Sequence, residues 1–502
     1  LIKKIRDFCI LHWYFLVTAA LVLIQAVFSL RFMGRQYFSL DEVSQIGFIA
    51  KRNSWSDIIN YYLTSEVTNL PLWPLLAALW YRIVPYGEGW MRLLTVILTT
   101  LSLIVLIKAA ESFRDKSTGV LMALLLTISS ALMHLCSLTF RVHAFWMLFT
   151  GLVLLFYFRR LRSMGNESLG EVVLLGIMMA GLAYSHYFGC LMIVYLFFTD
   201  LILFLRKKIR GIFIISYLIG GGLLFPWFIL MMVRHTMVLN EFWPKTPTFA
   251  SIPKALFYIV SHDEPVFILL LLAMIVSLLL FIDSFFSGSK DLDMRFIRLS
   301  FAFMPLIFIT GDYIYSAHIN VSGGIFVYRY FLSVLPAALL SVAVLMQEII
   351  EAVSKKYVIS AFYSYGVVIL FFLIYLGSGN YYIDVKDEVS APYDNTYGNV
   401  RERIEEEGRL FDEKTMIAIN ANRANADGFE EYYLEYGGSG RDVYVVSNED
   451  SDIEERIKAA DHIYIYQVMK GTPRVYTDIM GDDFKEVSFD ENLRLYEYER
   501  VK

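Results

Sequence analysis

The feature that most constrains this chain is a succession of apolar runs, each long enough to form a helix across a lipid bilayer. They lie near residues 12–30, 90–108, 118–138, 143–158, 172–187, 189–205, 212–233, 265–284, 296–311, 329–347 and 358–376. A hydrocarbon core of about 30 Å takes about 20 apolar residues at a helical rise of about 1.5 Å. The pattern therefore predicts a mainly α polytopic membrane protein with about eleven transmembrane helices. Composition agrees, because 57% hydrophobic and only 19% charged residues leave too little polar surface for a soluble globule. The first run lacks the small-residue cleavage site of a removable leader and is too long for one, so it reads as a retained helix.

Basic residues set the expected orientation. Lys3, Lys4 and Arg6; Lys108, Arg114 and Lys116; Arg159, Arg160 and Arg162; Arg206, Lys207, Lys208 and Arg210; Lys290 and Arg295; and Lys355 and Lys356 fall on alternate connections. The positive-inside rule puts those connections in the cytoplasm, with the N-terminus. The parity holds only if Leu70–Val84 does not cross, and at roughly 22 Å it is too short to do so. It reads as an interfacial helix whose Trp73, Trp80 and Tyr81 suit the membrane surface. Residues 31–88 then form a long first external loop, and residues 234–263, with Phe242, Trp243 and Pro244, form a second.

Near Asn380 the composition changes, dividing the chain into a membrane region, 1–379, and an external domain, 380–502. Strand-like runs at Met416–Asn420, Val443–Ser447 and His462–Tyr466 alternate with helical patterns at Gly428–Tyr436 and Ile453–Ala460. Phe484–Ser488 and Leu493–Tyr498 read as a closing pair of strands, which makes a small α/β domain. It is acidic and has no Gly-rich nucleotide loop, so no chemistry is assigned to it.

Several function classes are excluded. A net charge of −5 with dispersed basic clusters is not the footprint of a nucleic-acid binder. Cys9, Cys136 and Cys190 are odd in number and lie in or beside apolar runs, so no disulfide framework follows. Metal-ligand spacing is absent, and no cofactor or divalent metal is indicated.

Polar residues instead gather at helix ends on the predicted outer side. Asp41 and Glu42 follow the first helix, Arg141 and His143 open the fourth, His186 and Tyr187 mark a short turn, and Arg329 and Tyr330 open the tenth. Ionisable groups at membrane depth cost about 2.5–3.5 kcal/mol on insertion scales, so they face a cavity or a partner. The set meets the needs of sugar transfer from a lipid phosphate. An ordinary carboxylate is ionised at neutral pH and can take the proton of an acceptor hydroxyl, which suits Asp41. A guanidinium can hold a departing phosphate bidentately, which suits Arg329 and Arg141.

These motifs resemble the GT-C superfamily. Asp41-Glu42 after the first helix, Asn69-Leu-Pro-Leu-Trp-Pro before a short surface helix, Gly89-Trp-Met-Arg92-Leu opening the next span, and Arg329-Tyr-Phe-Leu-Ser-Val-Leu-Pro336 are similar to the branch of protein O-mannosyltransferases and aminoarabinose lipid A transferases. The resemblance covers roughly residues 1–376. It implies an inverting transfer from a polyprenyl-phosphate or dolichyl-phosphate sugar, with Asp41 as base and Arg329 and Arg141 on the donor phosphate. Glu42 and His143 are then expected at the acceptor, and His186, Tyr187 and Tyr330 at the donor or sugar. The acceptor is a protein, lipid or glycan, and membrane lipids are the other partner. Asn69-Leu70-Pro71 and His143 depart from the family's usual His-Pro-Pro and Tyr, which bears on donor or acceptor choice.

Plainer readings stand beside these. Asp41 and Glu42 could cap the following helix, and Arg329 could snorkel to an interface. His262-Asp263-Glu264 reads as a helix cap more than a metal site, and Asn320-Val-Ser322 as a chance glycosylation triplet. A lipid-linked glycan flippase or a non-catalytic assembly factor would also place cationic groups in an amphipathic cavity. Paired repeats and interrupted mid-membrane helices, the marks of transporters, are not evident.

Overall fold

The structure is a computed structural model. It describes residues 2–50, 54–64, 70–234, 246–260, 263–319, 325–357, 361–377, 397–408, 414–419, 444–447, 451–467, 474–491 and 493–501. The expectations for Asn69, Phe242–Pro244, His262, Asn320–Ser322, Gly428–Tyr436 and the boundary near residue 380 fall outside these.

Where the structure describes them, the predicted apolar runs fall on helices, with breaks at Ser129 and His186. α1 (Ile2–Phe32) is followed by three helices of the first loop, α2 (Leu40–Ala50), α3 (Trp55–Thr64) and α4 (Leu72–Ile83). Then come α5 (Glu88–Phe113), α6 (Lys116–Ile128), α7 (His143–Arg162), α8 (Leu169–Ser185), α9 (Tyr187–Leu205), α10 (Ile214–Arg234) and the short α11 (Ser251–Ile259). α12 (Glu264–Ser287), α13 (Leu292–Ile314), α14 (Leu335–Tyr357) and α15 (Ala361–Gly377) complete the apolar set.

Among the described residues, seven segments are long and apolar enough to cross a membrane: most of α1, α5, α7, α9, α10, α12, and Tyr328–Tyr357. α6 and α8 are apolar but shorter, with 13 and 17 residues. α6 ends where Ser129 turns extended and a π-helical turn, Leu132–Ser137, takes over. α13 carries Asp293, Arg295, Arg298 and Asp312 along its 23 residues. Seven of the eleven expected runs meet these criteria among the described residues. The other apolar runs form helices that are short or carry charge.

α4 is short, as its 12 residues predict, and Trp80 donates its indole N–H to the Trp90 carbonyl at 2.8 Å. Trp73 is not an interface anchor. It is 3% exposed and packs on Phe140 and Phe145 at ring distances of 5.4 and 6.3 Å. Asp263 is a helix cap, as the plainer reading held, its carboxylate accepting from the Val266 N–H at 3.0 Å.

Small residues let the helices approach closely. A side chain at Gly176 on α8 would lie 2.8 Å from the Ser216 carbonyl and from Cβ of Ile219, so α8 and α10 meet there backbone to backbone. One buried charged cluster joins the lower ends of α7, α9 and α10. Arg160 meets both carboxylate oxygens of Asp200 at 2.5 and 2.6 Å, and the hydroxyls of Tyr157 and Tyr217 donate to the same carboxylate. Arg160 is 1% exposed and Asp200 is fully buried, so the cluster is inaccessible to solutes.

The C-terminal part holds a five-stranded sheet in the order β2-β1-β3-β5-β4. β1 (Thr415–Ile419), wholly buried, pairs in parallel with β2 (Tyr444–Ser447) and β3 (His462–Tyr466). β4 (Phe484–Asp490) and β5 (Leu495–Arg500) close one edge antiparallel. Helices α16 (Tyr397–Glu406), α17 (Ile453–Ala459) and α18 (Arg474–Met480) accompany it, giving the α/β architecture expected. Val400 and Ile404 of α16 belong to the same hydrophobic cluster as the membrane helices, and the Tyr37 hydroxyl donates to Glu402.

Removing one partner of a buried ion pair strands the other charge, at a cost of about 3–5 kcal/mol. Asp200→Ala and Arg160→Ala are each expected to lower the thermal unfolding midpoint of the purified protein substantially. An unchanged midpoint would mean the cluster does not hold α7, α9 and α10 together.

Candidate active site

Two carboxylates adjacent in sequence open α2, and the helix sends them to different places. Ser39 and Glu42 form the start of the helix. The Glu42 carboxylate turns back to accept from the Ser39 N–H at 2.9 Å and its hydroxyl at 3.0 Å. This Ser-x-x-Glu arrangement satisfies a helix-start donor that would otherwise be orphaned. The same carboxylate accepts from Nε and Nη2 of Arg92, both at 2.9 Å, and from the Phe140 N–H at 2.6 Å. Glu42 is 1% exposed and Arg92 2%.

Arg92 sits in the second turn of α5, which Gly87 introduces with φ of 141°, a conformation that favours glycine. The remaining Arg92 donors reach the carbonyls of Met33 (3.1 Å), Gln36 (2.7 Å) and Tyr37 (3.0 Å), and the Phe38 ring lies 5.3 Å from the guanidinium carbon. All five N–H donors of a guanidinium are thereby used. The expectation that Glu42 contacts an acceptor is corrected, since its oxygens are occupied and inaccessible. Burial alone would raise the Glu42 carboxyl, and Arg92, assisted by the Phe140 and Ser39 donors, overrides that and holds it below its ordinary value.

Asp41, one residue earlier, is 43% exposed at its side chain. Its carboxylate lies 3.2 Å from Arg329 and 3.6 Å from Arg141, and Arg141 also donates to the Asp41 carbonyl at 2.8 Å. Three segments far apart in sequence meet here: α2, the Phe140–Val142 turn before α7, and a 3-10 stretch, Tyr328–Val334, that leads into α14. Arg141, chiefly, holds the Asp41 carboxyl below its ordinary value; burial opposes the shift and Arg329 adds to it. The two guanidiniums are 25% and 30% exposed, so the trio is reachable from outside.

Aromatic groups wall the trio on one side. The His186 ring stacks on Trp146 with centroids 4.1 Å apart, and Tyr330 lies 5.2 Å from His186 and 5.3 Å from Phe188. The Arg329 guanidinium carbon is 5.9 Å from the Tyr330 centroid. Tyr187 turns the other way, its hydroxyl 3.5 Å from the Trp227 indole nitrogen. His143 is 5% exposed, and its Nδ1 is buried without a hydrogen-bond partner among the described residues. Among the described residues no group of three or more His, Cys, Asp or Glu side chains comes together. The arrangement offers an ionised carboxylate and two cationic forks within one opening. It can accept a proton and neutralise an anionic oxygen cluster a few ångströms away.

By sequence, no family model and no curated protein matches the chain. By structure it resembles ArnT from Cupriavidus metallidurans in the apo state, with a TM-score of 0.58 and 14% identity over 98% of each chain. It likewise resembles the same protein bound to undecaprenyl phosphate, with a TM-score of 0.54 and 13% identity over 97% of this chain and 98% of that one. The archaeal oligosaccharyltransferase AglB from Archaeoglobus fulgidus, in complex with an inhibitory peptide and a dolichol-phosphate, gives a TM-score of 0.50 and 11% identity over 91% of this chain and 70% of that one. The chain thus shares the fold of ArnT and of this oligosaccharyltransferase.

If Asp41 must be ionised for activity, its lowered pKa keeps it competent to a more acidic pH than an ordinary carboxylate. The acidic limb of kcat/KM, which reports the free enzyme, is then expected to move to higher pH in Arg141→Gln. An unmoved limb would detach Asp41 ionisation from Arg141.

Proposed function

We propose that the protein transfers a sugar from a polyprenyl-phosphate or dolichyl-phosphate donor to an acceptor hydroxyl, with inversion, at the outer face of the membrane. The observation that carries this reading is the Asp41 carboxylate held against Arg141 and Arg329 at an accessible opening. The similar structures, which bind undecaprenyl phosphate and a dolichol-phosphate, support a donor of this class.

In the reaction the donor phosphate replaces Asp41 as the partner of the two guanidiniums. Freed from them, the carboxylate accepts the acceptor's O–H proton as the oxygen attacks the anomeric carbon. The bond from that carbon to the phosphate oxygen breaks, and its electron pair leaves with the lipid phosphate. Arg329 and Arg141 receive the charge that develops there, as a fixed electrostatic environment does best. His186 and Tyr330 present ring faces at the sugar. The N-terminus is cytoplasmic in this reading, the sheet domain lies outside, and the membrane is the plasma membrane.

Asp41→Asn should lower transfer by about 10²–10⁴-fold, the usual weight of a positioned base. It should bind undecaprenyl phosphate at least as tightly as the wild type, because a competitor for the guanidiniums is gone. Arg329→Ala should weaken that binding by about 10- to 100-fold, as loss of a charge-assisted hydrogen bond does. The measurements are transfer of label from a panel of radiolabelled polyprenyl-phosphate sugars and lipid-phosphate binding by the purified protein. Full activity in Asp41→Asn would end the proposal and favour a flippase or an assembly factor.

A further inference from the structure

We propose that Arg92, acting through Glu42, is a positioning residue that fixes the Asp41 carboxylate against the guanidinium of Arg141 for the transfer reaction. The inference rests on the reading of Asp41 as the base. It assigns a role to two buried residues that touch neither donor nor acceptor.

The geometry is a single knot tied across three segments. Arg92 on α5 binds the carbonyls of Met33, Gln36 and Tyr37, which end α1 and lead to α2, and so sets the path of the chain just before Asp41. Its other donors seat both oxygens of Glu42, the residue immediately after Asp41. Glu42 in turn accepts the N–H of Phe140, the residue immediately before Arg141. One carboxylate therefore anchors the neighbour of the base and the neighbour of a phosphate-binding group, and Arg141 closes the loop by donating to the Asp41 carbonyl at 2.8 Å. The pair does not merely support the fold near the site; its hydrogen bonds run through the backbone atoms next to the reacting groups.

A cheaper device would not do the same work. The Asp41 ion pairs are partly exposed, and exposed pairs contribute too little to set a geometry. The pair beneath them is buried, bidentate and saturated with donors, so its directionality survives solvent. Lysine would keep the charge at position 92 and lose the planar fork that reaches a carboxylate and three carbonyls together.

The test uses the full chain, purified, with three variants: Arg92→Lys, Glu42→Gln and the apolar pair Arg92→Met with Glu42→Leu. Replacing a buried ion pair by apolar side chains of similar volume is often neutral for folding. In each variant that folds, kcat is expected to fall by at least about 100-fold, the scale of a misplacement near 1 Å. The number of undecaprenyl phosphate sites per protein should stay unchanged, with affinity within about tenfold of the wild type. A purely structural lesion would instead remove sites and activity in proportion. That outcome overturns the proposal, as does wild-type kcat in any folded variant or failure of all three to fold. If Asp41→Asn is inactive while Arg92→Lys is fully active, only this inference fails; if Asp41→Asn is itself active, the underlying reading fails first.

Discussion

The buried ion pair between Glu42 and Arg92 is the interaction on which the rest of the site depends. Neither side chain reaches solvent, and between them they engage one side-chain hydroxyl and five backbone groups from two stretches of chain, residues 33–39 and Phe140. Desolvating two charges is costly, and the cost is offset only where the geometry is good and the remaining donors and acceptors are satisfied. Here they are, which is why a loop between two membrane helices can hold a specific shape. Asp41, one position away, is then free to stay open and ionised without having to hold the loop itself.

A second buried pair, Arg160 with Asp200, lies on helices that the basic clusters place at the opposite boundary. Tyr157 and Tyr217 complete the acceptors of Asp200, while Nε and Nη1 of Arg160 are buried without a hydrogen-bond partner among the described residues, so only the carboxylate half of this pair is fully satisfied. Between these two points the helices are joined by apolar packing and small residues, as at Gly176 against Ser216. Such contacts carry little directional information. The polar knots at the ends therefore limit rotation and sliding of the helices more than the apolar middle does.

Much of this was legible in the sequence, because a membrane restricts what apolar runs can become. The helices, the short non-crossing segment before Val84 and the alternation of strands near the C-terminus all follow from length and period. Asp41 and Arg329 stood out as charges beside apolar runs, and the structure brings them within 3.2 Å. What proved hard to read was which of two adjacent acids faces outward, since one helix position rotates a side chain by about 100°. The Ser39-x-x-Glu42 spacing was the available signal that Glu42 turns back into its own helix start. Arg92 stood in the Gly89-Trp-Met-Arg92-Leu motif at the start of a span, but nothing local to it names a partner 50 residues away. Trp73 was misplaced for a related reason, as an amphipathic aromatic suits an interface and a core equally well until its neighbours are known.

The trio at the opening has a consequence for how a turnover ends. Two guanidiniums and one carboxylate leave one positive charge in excess. On the proposed reading a lipid phosphodiester, with a single negative charge, cancels it. The severed phosphate gains a second negative charge while Asp41 takes up a proton, so the balance is momentarily preserved. Once that proton escapes to water the pocket is over-filled with negative charge, and the carboxylate and the spent lipid contend for the same two cations. Expulsion of the used carrier is thus built into the charge count, with deprotonation of Asp41 as its trigger.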